Sequence, residues 1–158
     1  MFRPMRRIAR AIPDEAAKQL LEQSRRGVLA VNGDDGYPFA IPVNYFYDRA
    51  QEKIWFHGAK TGQKVDALKR SDKVCFTVYG NEHTEPGDWA PYVQSTVVFG
   101  RCRLIEDAAV TEAKVRQLAG KYYPTAQEVE EELARSLKGV QLYEITVEHL
   151  TGKQSQEK

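Results

Sequence analysis

The sequence has almost no excess of charge: 23 Lys and Arg stand against 22 Asp and Glu, a formal net charge of +1. Such a chain has no global field to draw it onto nucleic acid or an anionic membrane, so any anion binding must come from local clusters. Cysteine is scarce. Cys75 and Cys102 are the only two, both lie in apolar, β-favouring runs, and they read as buried thiols instead of a disulfide framework. The three histidines, His57, His83 and His149, are far apart, and no Cys-x-x-Cys or His-Glu-x-x-His spacing occurs, so no metal site is expected. No apolar run has the length to span a bilayer, and the opening Met1-Phe2-Arg3-Pro4-Met5-Arg6-Arg7 lacks the apolar segment of a secretory signal, which gives the expectation of a cytoplasmic protein. A Gly-x-Gly-x-x-Gly turn is missing, which argues against a Rossmann dinucleotide site. Neither internal repeats nor a residue pattern for a catalytic triad can be found.

What is present reads as one domain over residues 1–153 with a polar tail, residues 154–158. Pro13 and the acids Asp14 and Glu15 suit the start of a helix running to Ser24, with Ala17, Leu20 and Leu21 on one face. A short strand, Gly27 to Asn32, is followed by a turn cluster to Gly36 and a second strand, Tyr37 to Tyr47, which Pro38 and Pro42 demote to an edge or a bulge. Lys73 to Tyr79 alternates as a strand. Gly80 to Pro91 is a polar loop carrying Trp89, an aromatic that serves either as a lid over the core or as part of a site. Tyr92 to Glu106 is the longest strand, apolar on both faces in its middle, so both faces should be covered. Helices at Ala108 to Lys121 and Ala126 to Leu137 and a closing strand, Val140 to Val147, complete an α+β chain of mainly antiparallel strands, expected to form a small barrel with peripheral helices.

The stretch Ile54 to Lys69 carries the chemistry. Ile54, Trp55 and Phe56 favour a strand, Gly58 permits a sharp turn, Thr61 can cap a helix, and Val65 and Leu68 share one helical face. A helix start has amides without internal partners and a partial positive charge, and Lys60 and Lys64 stand beside it. That is a candidate phosphate site, although from this stretch alone charges at a helix start are more often simply solvated. It is not a Walker loop: three residues separate Gly58 from Gly62, and Gln63-Lys64-Val65 lacks the Lys-then-Ser/Thr pair.

Taken together, Met5-Arg6-Arg7, Gly27-Val28-Leu29-Ala30, Gly36-Tyr37-Pro38, Pro42-Val43-Asn44, Phe56-His57-Gly58-Ala59, Gly62-Gln63-Lys64, Val74-Cys75-Phe76, Ser95 to Arg101 and Leu150-Thr151-Gly152-Lys153 resemble, in order and spacing, the pyridoxamine 5′-phosphate oxidase-like FMN-binding split-barrel flavoproteins, and within them the nitroimidazole-resistance subgroup. The resemblance implies a split β-barrel and a homodimer with one FMN at each end of the subunit interface. It places the FMN phosphate at Thr61 and Lys64, the isoalloxazine between Pro42-Val43-Asn44 and Phe56-His57-Gly58, and a contribution from the opposite subunit at Trp89, Gln94 and Ser95. The chain departs from pyridoxamine phosphate oxidase itself in lacking an Arg-Leu-x-Pro ending, so vitamin B6 oxidation is not expected. Ala9 stands where the subgroup has an acid.

The function these features imply is an FMN-dependent reductase acting on a small electron-poor substrate such as a nitro-aromatic, with a reduced nicotinamide as a possible donor. His57 is the candidate catalytic residue. By the resemblance it lies beside the substrate and, when protonated, stabilises developing charge; as a plain strand-end histidine it only bonds a carbonyl. A flavin- or haem-binding module without turnover, and an oxidase of another phosphorylated amine, are the alternatives.

Overall fold

Consecutive buried residues in β5 (Lys53–Ala59) explain the architecture: Ile54 and Phe56 point into one apolar core while Trp55, between them, points into another. A strand that alternates between two interiors needs a covered sheet on each side. In the computed structural model, which describes residues 1–158, the first core lies inside a curled antiparallel sheet. The second lies between the outside of that sheet and two helices, α3 (Ala108–Tyr122) and α4 (Ala126–Ser136). The strand β8 (Val140–Gln156) follows the same rule, sending Leu142 outward to the helices and Tyr143 and Ile145 inward.

The sheet has eight strands. With β2 (Arg26–Asn32), β3 (Pro38–Asn44), β4 (Phe46–Asp48), β6 (Lys73–His83) and β7 (Tyr92–Ile105), its order is β3-β2-β6-β7-β8-β5-β4, and the two-residue β1 (Ala11–Ile12) pairs with β8. The ends of this path, β3 and β4–β5, curl towards each other but exchange no ladder, so the α+β chain forms a split barrel. Helix α1 (Asp14–Gln23) seats Ala17, Leu20 and Leu21 in the interior, and α2 (Gln63–Arg70) seats Val65, Ala67 and Leu68. At the β7–β8 crossing the register shifts between Phe99 and Gly100, where β8 supplies an extra residue. Only glycine fits there, because a Cβ on Gly100 would lie 2.3 Å from the Thr146 carbonyl oxygen.

Several expected boundaries move. Polar residues 154–156 are not a tail: Gln154, Ser155 and Gln156 pair with Gln94, Val93 and Tyr92, and Gln94 Nε2 donates to Gln154 Oε1 at 2.9 Å. The expected second strand breaks at Tyr45, and β6 runs on to His83. Within one protomer the long strand β7 is covered on one face only. Thr96, Val98 and Cys102 are buried, while Phe99 is 41% exposed, Arg101 pairs with Asp72 and Glu148 at the surface, and the exposed Arg103 reaches in to the buried Glu144. The acidic face of α4 is partly engaged, since Arg116 Nε of α3 donates to Glu130 Oε1 at 2.6 Å. No helix is long and apolar enough to cross a membrane.

Glu144, 1% exposed, accepts from Lys53 Nζ at 2.8 Å and from Arg103 Nε at 2.7 Å. Burial alone would raise its carboxyl, but the two charged donors outweigh it and hold the pKa below the ordinary value. A depressed carboxyl adds stability above its unfolded pKa and loses it as pH falls through the folded one. We therefore expect Glu144→Gln to lower unfolding stability at pH 7 by roughly 1.5–3 kcal/mol, the range for hydrogen bonds to a charged group. The variant should also lose less stability than the wild type between pH 5 and pH 3; parallel urea-unfolding curves at these pH values would contradict this.

Candidate functional site

The seam between β3 and β5 leaves backbone groups unused. β3 pairs only with β2, and β4 covers β5 only at residues 53–55, so one edge of residues 42–44 and one edge of residues 56–59 meet no strand. Such edges can bind any ligand that presents complementary donors and acceptors. Alternation sorts the side chains. Pro42 and Asn44 face outward, whereas Val43 points inward against the core and Phe56 is fully buried, stacked on Tyr143 at 4.7 Å. Phe56 is therefore open to a ligand only through its backbone, and half-buried Val43 turns its side chain towards the core.

Asn44 and His57 come together across the seam and line one cavity of ≈170 Å³. Its opposite wall comes from α3 and α4. The chain is fastened here at the Tyr45 bend: Tyr122 Oη accepts from the Tyr45 amide at 2.8 Å, and Lys121 Nζ donates to the Ser24 and Tyr45 carbonyls at 2.6 and 3.2 Å. Sequence reading missed this wall. Tyr122 lies 77 residues from Tyr45, and nothing in the Tyr122-Tyr123-Pro124 linker signals the contact. The ring of His57 reaches solvent, yet loss of hydration, followed by the charge of Lys64, lowers its pKa below the ordinary value. Near neutral pH the imidazole is neutral, so the protonated role expected for it is not the one its surroundings favour.

At the other end of β5 the chain turns through Gly62, whose φ of +125° is open to glycine alone, into α2. Gly62, and not Thr61, occupies the N-cap position, and no side chain caps the helix. Thr61 is exposed, and the first α2 amides lack a side-chain partner. Lys64, in the first turn, folds back over β5. Its Nζ lies 4.9 Å from the Tyr143 ring centroid and 5.5 Å from that of Phe56, so close to Gly58 that a Cβ there would stand 2.7 Å away. Lys64 is half-buried and forms neither a hydrogen bond nor an ion pair, and burial lowers its pKa. Two aromatic faces offset only part of that desolvation.

The other expected residues lie elsewhere in the single chain. Pro42 lines a larger cleft of ≈540 Å³ on the outward face of β2 and β6, together with Arg25 and Arg26. Trp89 is 79% exposed on the loop before β7, and Gln94 spends its amide on Asn81 and Gln154. Ser95 lies on the outward face of β7, opposite Tyr79 and Lys153. None of the three joins Asn44, His57 and Lys64 within one protomer.

The model of the pyridoxamine 5′-phosphate oxidase family matches residues 13–154. The chain belongs to this family. No curated protein matches it. Among solved structures, it is similar to a candidate 5-nitroimidazole antibiotic resistance protein of Bacteroides thetaiotaomicron, with a TM-score of 0.77 and 17% identity over 91% of this chain and 86% of that one. An FAD-binding protein of Mesorhizobium loti gives 0.64 and 18% over 92% and 97%. The FAD and haem binding protein of Mycobacterium smegmatis gives 0.71 and 16% over 90% and 71%. At such identities these neighbours show the fold alone.

An unpaired, half-buried lysine weakens the fold that holds it. Replacing Lys64 by Met keeps the packing on Phe56 and Tyr143 and removes the desolvated charge, so Lys64→Met should stabilise the ligand-free protein by about 1 kcal/mol in chemical denaturation. A loss of stability would contradict the reading of Lys64 as a cation kept for a ligand.

Proposed function

We propose that the protein is an FMN-dependent reductase that passes electrons to a small electron-poor substrate such as a nitro-aromatic. The observation that carries this reading is Lys64, an unpaired, half-buried cation in the first turn of an uncapped helix, beside a seam with free backbone edges. The donor set fits FMN: Lys64, Thr61 and the α2 amides suit its phosphate, and the edges at residues 42–44 and 56–59 suit the polar rim of its ring. FMN, when bound, supplies the two-electron chemistry. The protein's own work is positioning. Lys64 and the helix start anchor the phosphate, Gly58 permits the close approach, and neutral His57 orients an oxygen of the substrate by hydrogen bonding. A reduced nicotinamide is a suitable donor. The names of the FAD-binding and FAD-and-haem-binding neighbours favour a second reading, a module that holds such a cofactor without turnover.

We also propose a homodimer with the flavin at the interface. Strand register places Pro42, Val28, Thr77 and Val97 in one outward row and Ala40, Ala30, Cys75 and Phe99 in the next, a mainly small and apolar face covered in part by Phe2, which stacks on His149 at 4.7 Å. In this arrangement Trp89, Gln94 and Ser95 reach the flavin of the partner subunit. Light scattering at micromolar concentration should give twice the monomer mass, and a monomer would sink the proposal.

Two substitutions test the function. Lys64→Ala should weaken FMN binding by roughly 1.5–3 kcal/mol relative to Lys69→Ala, whose side chain sits at the exposed far end of α2. His57→Ala should leave FMN affinity within about tenfold while slowing stopped-flow flavin reoxidation by a nitro-aromatic. Equal effects of the two lysine changes would return Lys64 to ordinary solvation. An unchanged reoxidation rate would favour the binding module.

A further inference from the structure

Every arginine from Arg49 onward pairs with a carboxylate: Arg49, Arg70, Arg101, Arg103, Arg116 and Arg135. Arg25 and Arg26, adjacent and exposed at the start of β2, have none. Both line the cleft of ≈540 Å³, a volume within the range of about 300–1,000 Å³ typical of ligand pockets. The cleft exists because the sheet parts there. β2 begins at Arg26 and β6 runs on to His83, yet the two strands pair only at Val28–Thr77, Leu29–Phe76 and Ala30–Cys75. Past Thr77 one edge of β6 therefore faces the gap without a strand partner, at residues 78–81. No acidic side chain lines the cleft, and Glu22, three residues before Arg25, is turned to Arg49 at 3.5 Å. Positive charge accumulates instead: burial, followed by the charge of Arg25, lowers the pKa of Lys121 to about 8. The Arg25 guanidinium is held over the Tyr122 ring, 5.2 Å from its centroid. Val28 and Pro42 give the cleft an apolar floor, and Tyr79, 76% exposed, sets a free aromatic ring at its rim.

From this geometry we propose that the cleft is a nucleotide site separate from the seam, with the phosphate on Arg25 and Arg26 and the base against Tyr79. Guanidinium groups match a phosphate in shape and charge, and an exposed aromatic ring stacks any flat base. Two neighbouring arginines without a carboxylate repel each other, and an anion between them removes that cost. Arg26 stands opposite Asn44 in the β2–β3 ladder, so a bound nucleotide lies next to the seam without sharing Lys64 or the α2 start. Val28, Pro42 and Thr77 also belong to the face assigned above to the partner subunit, which puts the ligand at the rim of that interface. The inference goes beyond the flavin reading and does not depend on it.

Calorimetric titration of the wild-type protein with adenosine 5′-monophosphate, adenosine and inorganic phosphate tests the site. The nucleotide should bind at least about tenfold more tightly than the other two, because it alone engages both the arginines and the ring. Arg25→Gln combined with Arg26→Gln should cost it at least about tenfold in affinity while leaving FMN affinity within about twofold. Arg26→Gln alone, which keeps Arg25 on Tyr122, should show part of that loss. Arg70→Gln, at an exposed arginine remote from the cleft, and Lys64→Ala should both leave nucleotide affinity unchanged. Titration with reduced nicotinamide adenine dinucleotide phosphate separates the two sources of such a phosphate. A loss shared by both nucleotides in the arginine variants upholds the site as one for a dinucleotide electron donor, and a loss confined to the mononucleotide upholds it as a mononucleotide site. A wild type that binds no nucleotide, as when the partner subunit closes the cleft, would overturn the proposal. So would adenosine binding as tightly as its monophosphate, or a nucleotide affinity that is lost in Lys64→Ala and kept in the arginine variants. Failure of FMN to bind, with nucleotide binding intact, removes the flavin reading and leaves this site standing.

Discussion

The unclosed seam between β3 and β5 is the constraint on which the rest of the structure depends. A closed barrel would satisfy every strand edge within its own sheet. Here β3 ends at Asn44, the chain bends at Tyr45, and β4 covers only the first half of the free edge of β5. The backbone left over at residues 42–44 and 56–59 is the raw material of a site. The bend that prevents closure is also the anchor for α3, through Tyr122 and Lys121, so the feature that opens the seam builds the wall of the cavity beside it.

Packing and the candidate site are separated in space along β5. Its first half, Ile54 to Phe56, is shared by two apolar cores and contributes packing on both faces. Its second half, His57 to Ala59, has one small exposed side chain, one glycine, one titratable ring and an unpaired backbone edge. Groups that weaken a fold, such as a desolvated Lys64 and an uncapped helix start, are tolerated at that end because the other end is fixed from both sides. A site built on a strand and a helix start, instead of a mobile loop, holds its geometry before any ligand arrives.

The sequence displayed much of this in its local patterns and little of its long-range assembly. Ile54-Trp55-Phe56, Gly58 and Lys64 were legible because strand, turn and first helical turn are neighbours in the chain, and family membership follows from their order and spacing. Strand alternation carried the information that Val43 and Phe56 point inward, but only once the core side of each strand was known. Thr61 looked like a cap by residue type, yet the backbone turn falls one residue later, at Gly62. Gln154 to Gln156 read as a tail because a strand whose side chains are all polar shows no hydrophobic alternation; its pairing with β7 rests on backbone and amide hydrogen bonds. The placing of Asn44 and His57 on one cavity, and the wall from α3 and α4, depend on contacts distant in sequence that no local signal encodes.

The central claim, that the seam and the α2 start together hold a flavin phosphate and ring, is most directly tested by following backbone amide resonances of the uniformly ¹⁵N-labelled protein during titration with FMN. The account predicts that the largest shifts fall on Val43, Asn44, His57, Gly58, Gln63 and Lys64, with Arg25 and Arg26 little affected. Shifts concentrated at Arg25, Arg26 and Thr77, with the seam and the helix start unmoved, would place the ligand in the other cleft and contradict it.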